Sequence, residues 1–272
     1  MKPNKHGGID LTGHTVVVTG ASSGIGAGIA LEFASAGANV VVNYAHNRQG
    51  AEETVREIEE LGGKAYAHQA DVSGEEDVQA MFRAAVDTWG TVDTLVNNAG
   101  IQKDASFQEM SLEDWNKVIS INLTGGFLCS REAVREFVRR GTTERSKALG
   151  KILFVSSVHE VIPWARHTNY AAAKGGIMLL MKSIAQELGP LKIRVNSISP
   201  GAIKTPINRE AWETPKAEAE LLKLIPYNRI GVTADVAKVA VWLASDDSDY
   251  IHGASLYVDG GMMLYPGFAE GG

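Results

Sequence analysis

The chain has a single cysteine, Cys129, among 272 residues. One thiol excludes an intramolecular disulfide and leaves no cysteine cluster for a metal. Its neighbours Phe127 and Leu128 suggest core packing. Long apolar runs are also missing. None approaches the roughly 20 residues that a membrane helix needs. The most hydrophobic stretch, Ile177 to Met181, is short and lies between Lys174 and Lys182. Met1 to Asp10 is polar and lacks the apolar centre of a secretory signal, so a cytoplasmic protein is expected. Positive charge is not in excess. A net charge of -6 argues against nucleic acid or an anionic membrane as a standing partner. No internal repeat or low-complexity linker divides the chain, so residues 1–272 are expected to form one domain.

What is present is a rhythm. Apolar, β-branched runs near 15–19, 39–43, 64–69, 92–96, 151–156, 192–198 and 254–258 read as strands. Helical patterns lie near 24–36, 48–61, 75–89, 111–139, 168–188 and 233–245. This alternation predicts an α/β fold: a Rossmann-type, doubly wound parallel sheet of seven strands in a three-layer α/β/α sandwich. Two segments break the rhythm. Residues 140–150 are polar and read as a surface loop. Residues 202–229 carry Pro206, Pro215 and Pro226 around a weak helical pattern, which is a candidate substrate lid.

The first strand leads into Gly20-Ala21-Ser22-Ser23-Gly24-Ile25-Gly26, and a helical pattern follows. Strand, glycine loop, helix is the context in which glycines serve a pyrophosphate. They let the backbone turn tightly and let the anion reach free N–H groups at a helix start. Glycine-rich turns are often only turns; the flanking strand and helix favour a dinucleotide.

Tyr170 and Lys174 stand four residues apart in a helical pattern and so share a face. Ser157 ends the apolar run before them. A nearby ammonium favours phenolate. Bringing a phenol from a pKa of ~10 to ~7 takes about 4 kcal/mol of differential stabilisation. Ser157 then holds the oxygen of an alcohol while the tyrosine takes its proton. The bland alternative is a surface helix.

These motifs resemble the short-chain dehydrogenase/reductase family over nearly the whole length. Thr19 to Gly26 matches its cofactor loop and Asp71-Val72 its adenine-side pair. Asn97-Asn98-Ala99-Gly100 matches the motif ending the fourth strand. Asn122 matches the helix asparagine, Ser157, Tyr170 and Lys174 the catalytic set, and Pro200-Gly201 with Thr205 the nicotinamide-side loop. Within the family, Met110 to Ile119, Asn122 to Leu128, Ser156 to Glu160 with Ile162-Pro163-Trp164, Gly201 to Ile203 with Thr205 to Asn208, and Asp259 to Met262 resemble bacterial glucose 1-dehydrogenases.

The resemblance implies strand order 3-2-1-4-5-6-7 and direct hydride transfer to NADP or NAD without a metal. It makes Tyr170 the general base, places Lys174 on the nicotinamide ribose as well, and assigns Asn122 to a water-linked proton relay. From sequence alone, Asn122 as a brace for helix backbone is nearly as good. Asn98, Ala99 and Gly100 are expected along the cofactor. Asp71 is expected on the adenine ring or in a helix-starting turn. Ile203 and Thr205 are expected at the carboxamide, unless Thr205 merely caps a helix.

No acidic residue ends the second strand, where a carboxylate would bind a ribose diol. Ser22, Ser23, Asn43, Tyr44 and Arg48 could surround a 2′-phosphate there. Some glucose dehydrogenases carry arginine directly after the tyrosine, where this chain has Ala45. Gln102, His159, Glu160, Trp164 and Asn208 are expected to face a sugar-like substrate with Ser157 and Tyr170. Gln102 stands where glucose dehydrogenases commonly carry glutamate. The leading reading is oxidation of the C1 hydroxyl of β-D-glucose. A reductase of 3-oxoacyl or other carbonyl substrates and a non-catalytic dinucleotide sensor are the alternatives. A polar pocket fits glucose, an apolar cleft an acyl chain or steroid. The apolar tail with Met262, Met263, Leu264, Tyr265 and Phe268 is expected to be buried, and the resemblance implies a homotetramer in which the tail supports the lid.

Overall fold

The computed structural model describes residues 8–264. Its seven strands are β1 Thr15–Val18, β2 Asn39–Tyr44, β3 Lys64–Gln69, β4 Thr94–Asn97, β5 Gly150–Val155, β6 Ile193–Pro200 and β7 Ser255–Val258. They form one parallel sheet in the order β3-β2-β1-β4-β5-β6-β7. Val16 sits opposite Val40 on one side and Thr94 on the other. The order reverses between β1 and β4, and ligands of open α/β sheets gather at that crevice.

Both faces of the sheet are covered, so its central strands are continuous apolar runs rather than alternating ones. Val16, Val17 and Val18 are all fully buried. Their side chains still alternate. Val16 and Val18 enter one core layer with α1 (Gly24–Ser35), α2 (Arg48–Glu60) and α8 (Thr233–Ala244). Val17 enters the other with α3 (Glu75–Trp89), α5 (Gly125–Arg140) and α6 (Thr168–Leu188).

The pattern at 111–139 predicts one helix, and the structure divides it. α4 spans Leu112–Ile119, a π-type turn spans Ser120–Thr124, and α5 follows. The insertion carries Asn122 inward to a buried position. Gly125 then lets α5 approach Val72, whose Cγ2 would lie 2.7 Å from an added Cβ.

The segment expected as a surface loop is partly anchored. Ser146 donates to Asp246 at 2.8 Å, and Ala148 and Leu149 are buried. Residues 202–229 contain a 3₁₀ segment at Pro206–Ala211 and α7 at Pro215–Leu222, each started by its proline. The tail is described to Leu264; Tyr265 and Phe268 lie outside the described residues. Its first part packs on the 202–229 segment of its own chain. The Tyr227 amide donates to the Gly260 carbonyl at 2.9 Å, and the Ala202 amide approaches Met262 Sδ at 3.2 Å. No described helix is long and apolar enough to cross a membrane.

Candidate active site

The glycine loop, Asn97 to Gly100, Ser156-Ser157 and Pro200-Gly201 all lie at or just beyond the C-terminal ends of their parallel strands. Gly20 and Gly24 have φ of 63° and 57°, the left-handed region that favours glycine. Gly26 answers a different need. A Cβ there would lie 2.4 Å from both the Gly20 carbonyl oxygen and Asn98 Nδ2. Ser23 is the N-cap of α1 but makes no side-chain capping bond, and the first turn holds no acidic residue. The start of α1 thus offers amide groups and a favourable dipole to an anion. This narrow, uncapped cradle fits a dinucleotide pyrophosphate. Ser22 and Ile25 are half-buried beside it, and Ser23 is exposed.

Thr19 and two residues that motif reading passed over, Thr54 and Gly50, hold the cradle. Thr19 Oγ1 accepts from the amides of Asn98 and Ala99 at 2.9 and 3.0 Å. Thr54 Oγ1 donates to the Ala21 carbonyl at 3.1 Å. A Cβ on Gly50 would meet the Ser22 carbonyl at 2.3 Å, so this glycine lets α2 approach the loop.

Several of the expected cofactor-side residues also hold protein partners. Asn43 is buried; its Oδ1 accepts from Gly20 N at 3.1 Å and its Nδ2 donates to the Ala70 carbonyl at 3.0 Å. This corrects the expectation that its amide surrounds a phosphate. Tyr44 is also buried. Arg48 is exposed, and its Nε meets Glu52 at 2.7 Å. Asp71 Oδ1 accepts from the amide and hydroxyl of Ser73 at 2.9 and 2.7 Å, the turn-forming alternative. Asn98 Nδ2 donates to the carbonyls of Thr19 and Gly20 at 2.9 and 3.0 Å. Gly100 faces Asn122, whose Oδ1 lies 3.4 Å from an added Cβ.

Asn208 Oδ1 accepts from Thr205 N, Thr205 Oγ1 and Trp212 Nε1 at 3.1, 2.8 and 3.2 Å. It organises the 3₁₀ segment Pro206–Ala211, with Thr205 at its N-cap position. Ile203 and Thr205 are both buried. Gly201, after Pro200, lets the start of the tail close on β6; Met262 Sδ would be 2.7 Å from a Cβ there.

Around the reacting position, Tyr170 lies in the first turn of α6 and Lys174 one turn later. Ser157 is buried, and its Oγ accepts from His159 N at 3.1 Å. Lys174 Nζ donates to the Val155 carbonyl at 2.9 Å and stands 5.4 Å from the centre of the Tyr170 ring. The phenol's pKa is held above its ordinary value by burial; hydrogen bonds with Ser157 and Gln102 pull it down. In the chain alone, burial outweighs these favourable partners. Burial also pulls Lys174 down, to about 8.

Asn122 exchanges two bonds with Ile101, accepting from its amide at 2.8 Å and donating to its carbonyl at 3.0 Å. It braces the loop after β4. A cavity of about 10 Å³ is lined by Asn122, Asn97, Val155 and Lys174, among others. That is about one water in size.

Of the expected polar and aromatic wall, the aromatic part stands beside Tyr170. Trp164 stacks on His159 at 4.2 Å and on His167 at 3.5 Å between ring centres. The rings of His159 and Trp164 meet that of Tyr170 in T-shaped arrangements, with centres 6.5 and 6.3 Å away. His167 was missed in the sequence; its Nε2 also meets Asp104 at 3.1 Å. Glu160 does not belong to the wall. It is buried and accepts from the Tyr257 hydroxyl at 3.0 Å.

Comparison with known proteins gives this arrangement a family. A family model described as enoyl-(acyl carrier protein) reductase matches residues 20–263. The chain is 50% identical to 3β-hydroxysteroid dehydrogenase 1 of Eggerthella lenta, over 96% of this chain and 98% of that protein. It is 42% identical to glucose 1-dehydrogenase 2 of Bacillus subtilis, over 96% of this chain and 99% of that protein. A crystal structure with bound NADP, assigned as a 2-deoxy-D-gluconate 3-dehydrogenase of Agrobacterium tumefaciens, superposes with a TM-score of 0.85. It shares 34% identity and covers 94% of this chain and 99% of that one.

The chain belongs to the short-chain dehydrogenase/reductase family. Within it, the protein is an NAD(P)-dependent oxidoreductase, and its cofactor is a nicotinamide dinucleotide.

Proposed function

We propose that residues 1–272 form one domain that oxidises a secondary ring alcohol, with 3β-hydroxysteroids as the substrate class and 202–229 as the lid. The carrying observation is the wall beside Tyr170, where Trp164 is stacked between two imidazoles. Glu160 turns away from that wall to Tyr257, and the neutral Gln102 faces the phenol. A wall of stacked aromatic rings beside the phenol suits a flat apolar alcohol. The lid adds exposed Ile207, Leu224 and Tyr227. The name of the Eggerthella relative supports the same class.

In this reading Tyr170 takes the hydroxyl proton in oxidation and returns it in reduction. Ser157 donates a hydrogen bond to the reacting oxygen, its own acceptor already held by His159 N. Lys174 orients the ribose and supports phenolate. Asn122 fixes the loop and closes the small cavity through which a proton reaches Lys174. The bound dinucleotide supplies the hydride acceptor or donor.

Oxidation of β-D-glucose at C1 to glucono-1,5-lactone is the second reading. The Bacillus relative and the hydroxyl-binding capacity of Gln102 favour it. A panel of 3β-hydroxysteroids, glucose, other sugars and a 3-oxoacyl thioester, run with each nucleotide, separates the readings. The steroid is expected to exceed glucose in kcat/KM by at least about tenfold, or ~1.4 kcal/mol of transition-state stabilisation. The opposite ranking transfers the function to glucose.

The same reading has NADP accepted alongside NAD. No carboxylate ends β2, and the Arg48 guanidinium opens the first turn of α2. It must exchange Glu52 for the phosphate. Arg48→Ala should raise the KM for NADP roughly three- to tenfold and leave that for NAD nearly unchanged. Equal effects on both cofactors would remove Arg48 from the phosphate site.

A further inference from the structure

The rings beside Tyr170 are held by an ion pair that the expected chemistry leaves unused. Trp164 lies against His167 with ring centres 3.5 Å apart and planes within 6° of parallel, and against His159 at 4.2 Å. His167 is anchored at both nitrogens. Nδ1 stands 2.9 Å from the Ala165 carbonyl oxygen, and Nε2 stands 3.1 Å from Asp104 Oδ2. A carbonyl and a carboxylate only accept, so an imidazolium, which donates from both nitrogens, satisfies both contacts. A cation on the face of an indole is also attracted by the ring's quadrupole.

Asp104 belongs to a different loop. It lies after β4, two residues beyond Gln102, whose side chain approaches the Tyr170 hydroxyl. Two further ties join the same segments. The Ala105 amide donates to the Arg166 carbonyl at 3.0 Å, and the buried Asn169 Nδ2 donates to the Lys103 carbonyl at 2.9 Å. Lys103 itself is turned to Asp114 of α4 at 3.9 Å, so the two ion pairs are separate. Between Trp164 and His167 the chain turns back on itself. The His167 amide donates to the Trp164 carbonyl at 3.2 Å, and Arg166 takes a φ of 72°. A non-glycine residue in that region persists where surrounding contacts over-determine it.

We propose that Asp104 and His167 are positioning residues that act through Trp164: their ion pair clamps the loop after β4 onto the segment before α6, fixes the indole beside Tyr170, and so sets the affinity for the ring of the alcohol. The proposal rests on the reading that this wall faces the substrate, and it holds for a steroid or a sugar ring alike. The Asp104 side chain is 46% exposed, that of His167 13%. A pair with one partner so exposed adds little to global stability, and the two backbone-carbonyl ties remain when it is removed. Its loss is therefore felt in the placement of the indole.

The test uses Asp104→Ala, Asp104→Glu, His167→Ala and the double alanine variant. Acrylamide quenching of Trp164 fluorescence is read for each against the same protein carrying Trp164→Phe, which removes the signal of the other tryptophans. Quenching of Trp164 should rise at least about twofold in Asp104→Ala and in His167→Ala as the stack loosens. With whichever alcohol the wild type oxidises best, KM should rise about five- to twentyfold in each, with kcat and the cofactor KM nearly unchanged. The double variant should be no worse than the poorer single one, because the two residues act as a unit. Asp104→Glu, which restores the charge, should recover at least half of both effects. Unchanged quenching in Asp104→Ala overturns the proposal, as does a KM that does not move, a kcat that falls with it, or single effects that multiply in the double variant. If His167→Ala fails to fold, Asp104→Ala and Asp104→Glu still decide by the same two readouts. A wrong substrate class appears in the wild-type ranking of alcohols, whereas a wrong clamp appears as variants that match the wild type.

Discussion

Replacing Tyr170 by phenylalanine should lower kcat by about a hundred- to ten-thousandfold while cofactor affinity changes little. The substitution deletes the hydroxyl that Ser157 and Gln102 approach and keeps the ring. The ring's contacts with Trp164 and His159 and the lysine standing over it are preserved. Binding and catalysis therefore separate cleanly in this variant. Steady-state kinetics paired with dinucleotide titration reads both. A variant that keeps a tenth of wild-type kcat would mean that another group moves the proton.

Gly26→Ala should do the reverse, weakening the dinucleotide by about ten- to a hundredfold. The added methyl would lie 2.4 Å from the Gly20 carbonyl and from Asn98 Nδ2. The carbonyl is backbone in a loop already held through Asn43 and Asn98, so it cannot yield locally. Overpacking of this kind costs about 1–3 kcal/mol. Because the glycine loop is itself the cradle, that cost is felt in binding. Fluorescence titration measures it, and unfolding curves show whether global stability has changed. Wild-type affinity in Gly26→Ala would place the cofactor elsewhere.

The strands and most helix limits were legible because buried parallel strands leave continuous β-branched runs, while the strand order came from the family resemblance. Val16 to Val18 and Ile152 to Val155 carry that signal directly. The glycine loop was legible because positive φ restricts residue choice at Gly20 and Gly24. The π-type turn at Ser120–Thr124 was not, since one altered hydrogen-bond step leaves the apolar periodicity almost intact.

The asparagines were harder still. Asn43, Asn122 and Asn208 carry the donors and acceptors that would suit a ligand, and the same groups suit a backbone brace. Which use each serves depends on segments distant in sequence: Gly20 and Ala70 for Asn43, Ile101 for Asn122, Trp212 for Asn208. Glu160 was read as facing the substrate because, with His159, it follows Ser157 in the loop leading to the catalytic helix. A tight turn sends the His159 and Glu160 side chains to different surroundings, one to Trp164 and one to Tyr257. His167 had no recognisable spacing, and its stacking on Trp164 exists only after the loop folds.

The central claim is direct hydride transfer from a ring carbinol carbon, with the proton taken at Tyr170. It is tested most directly with a 3β-hydroxysteroid carrying deuterium on the carbinol carbon, incubated with NADP or NAD and analysed by mass spectrometry. The account predicts ketosteroid and deuterated reduced dinucleotide in equal amounts from the wild type, and neither from Tyr170→Phe. Ketone formed without deuterium in the dinucleotide, or no steroid turnover while glucose is oxidised, would contradict it.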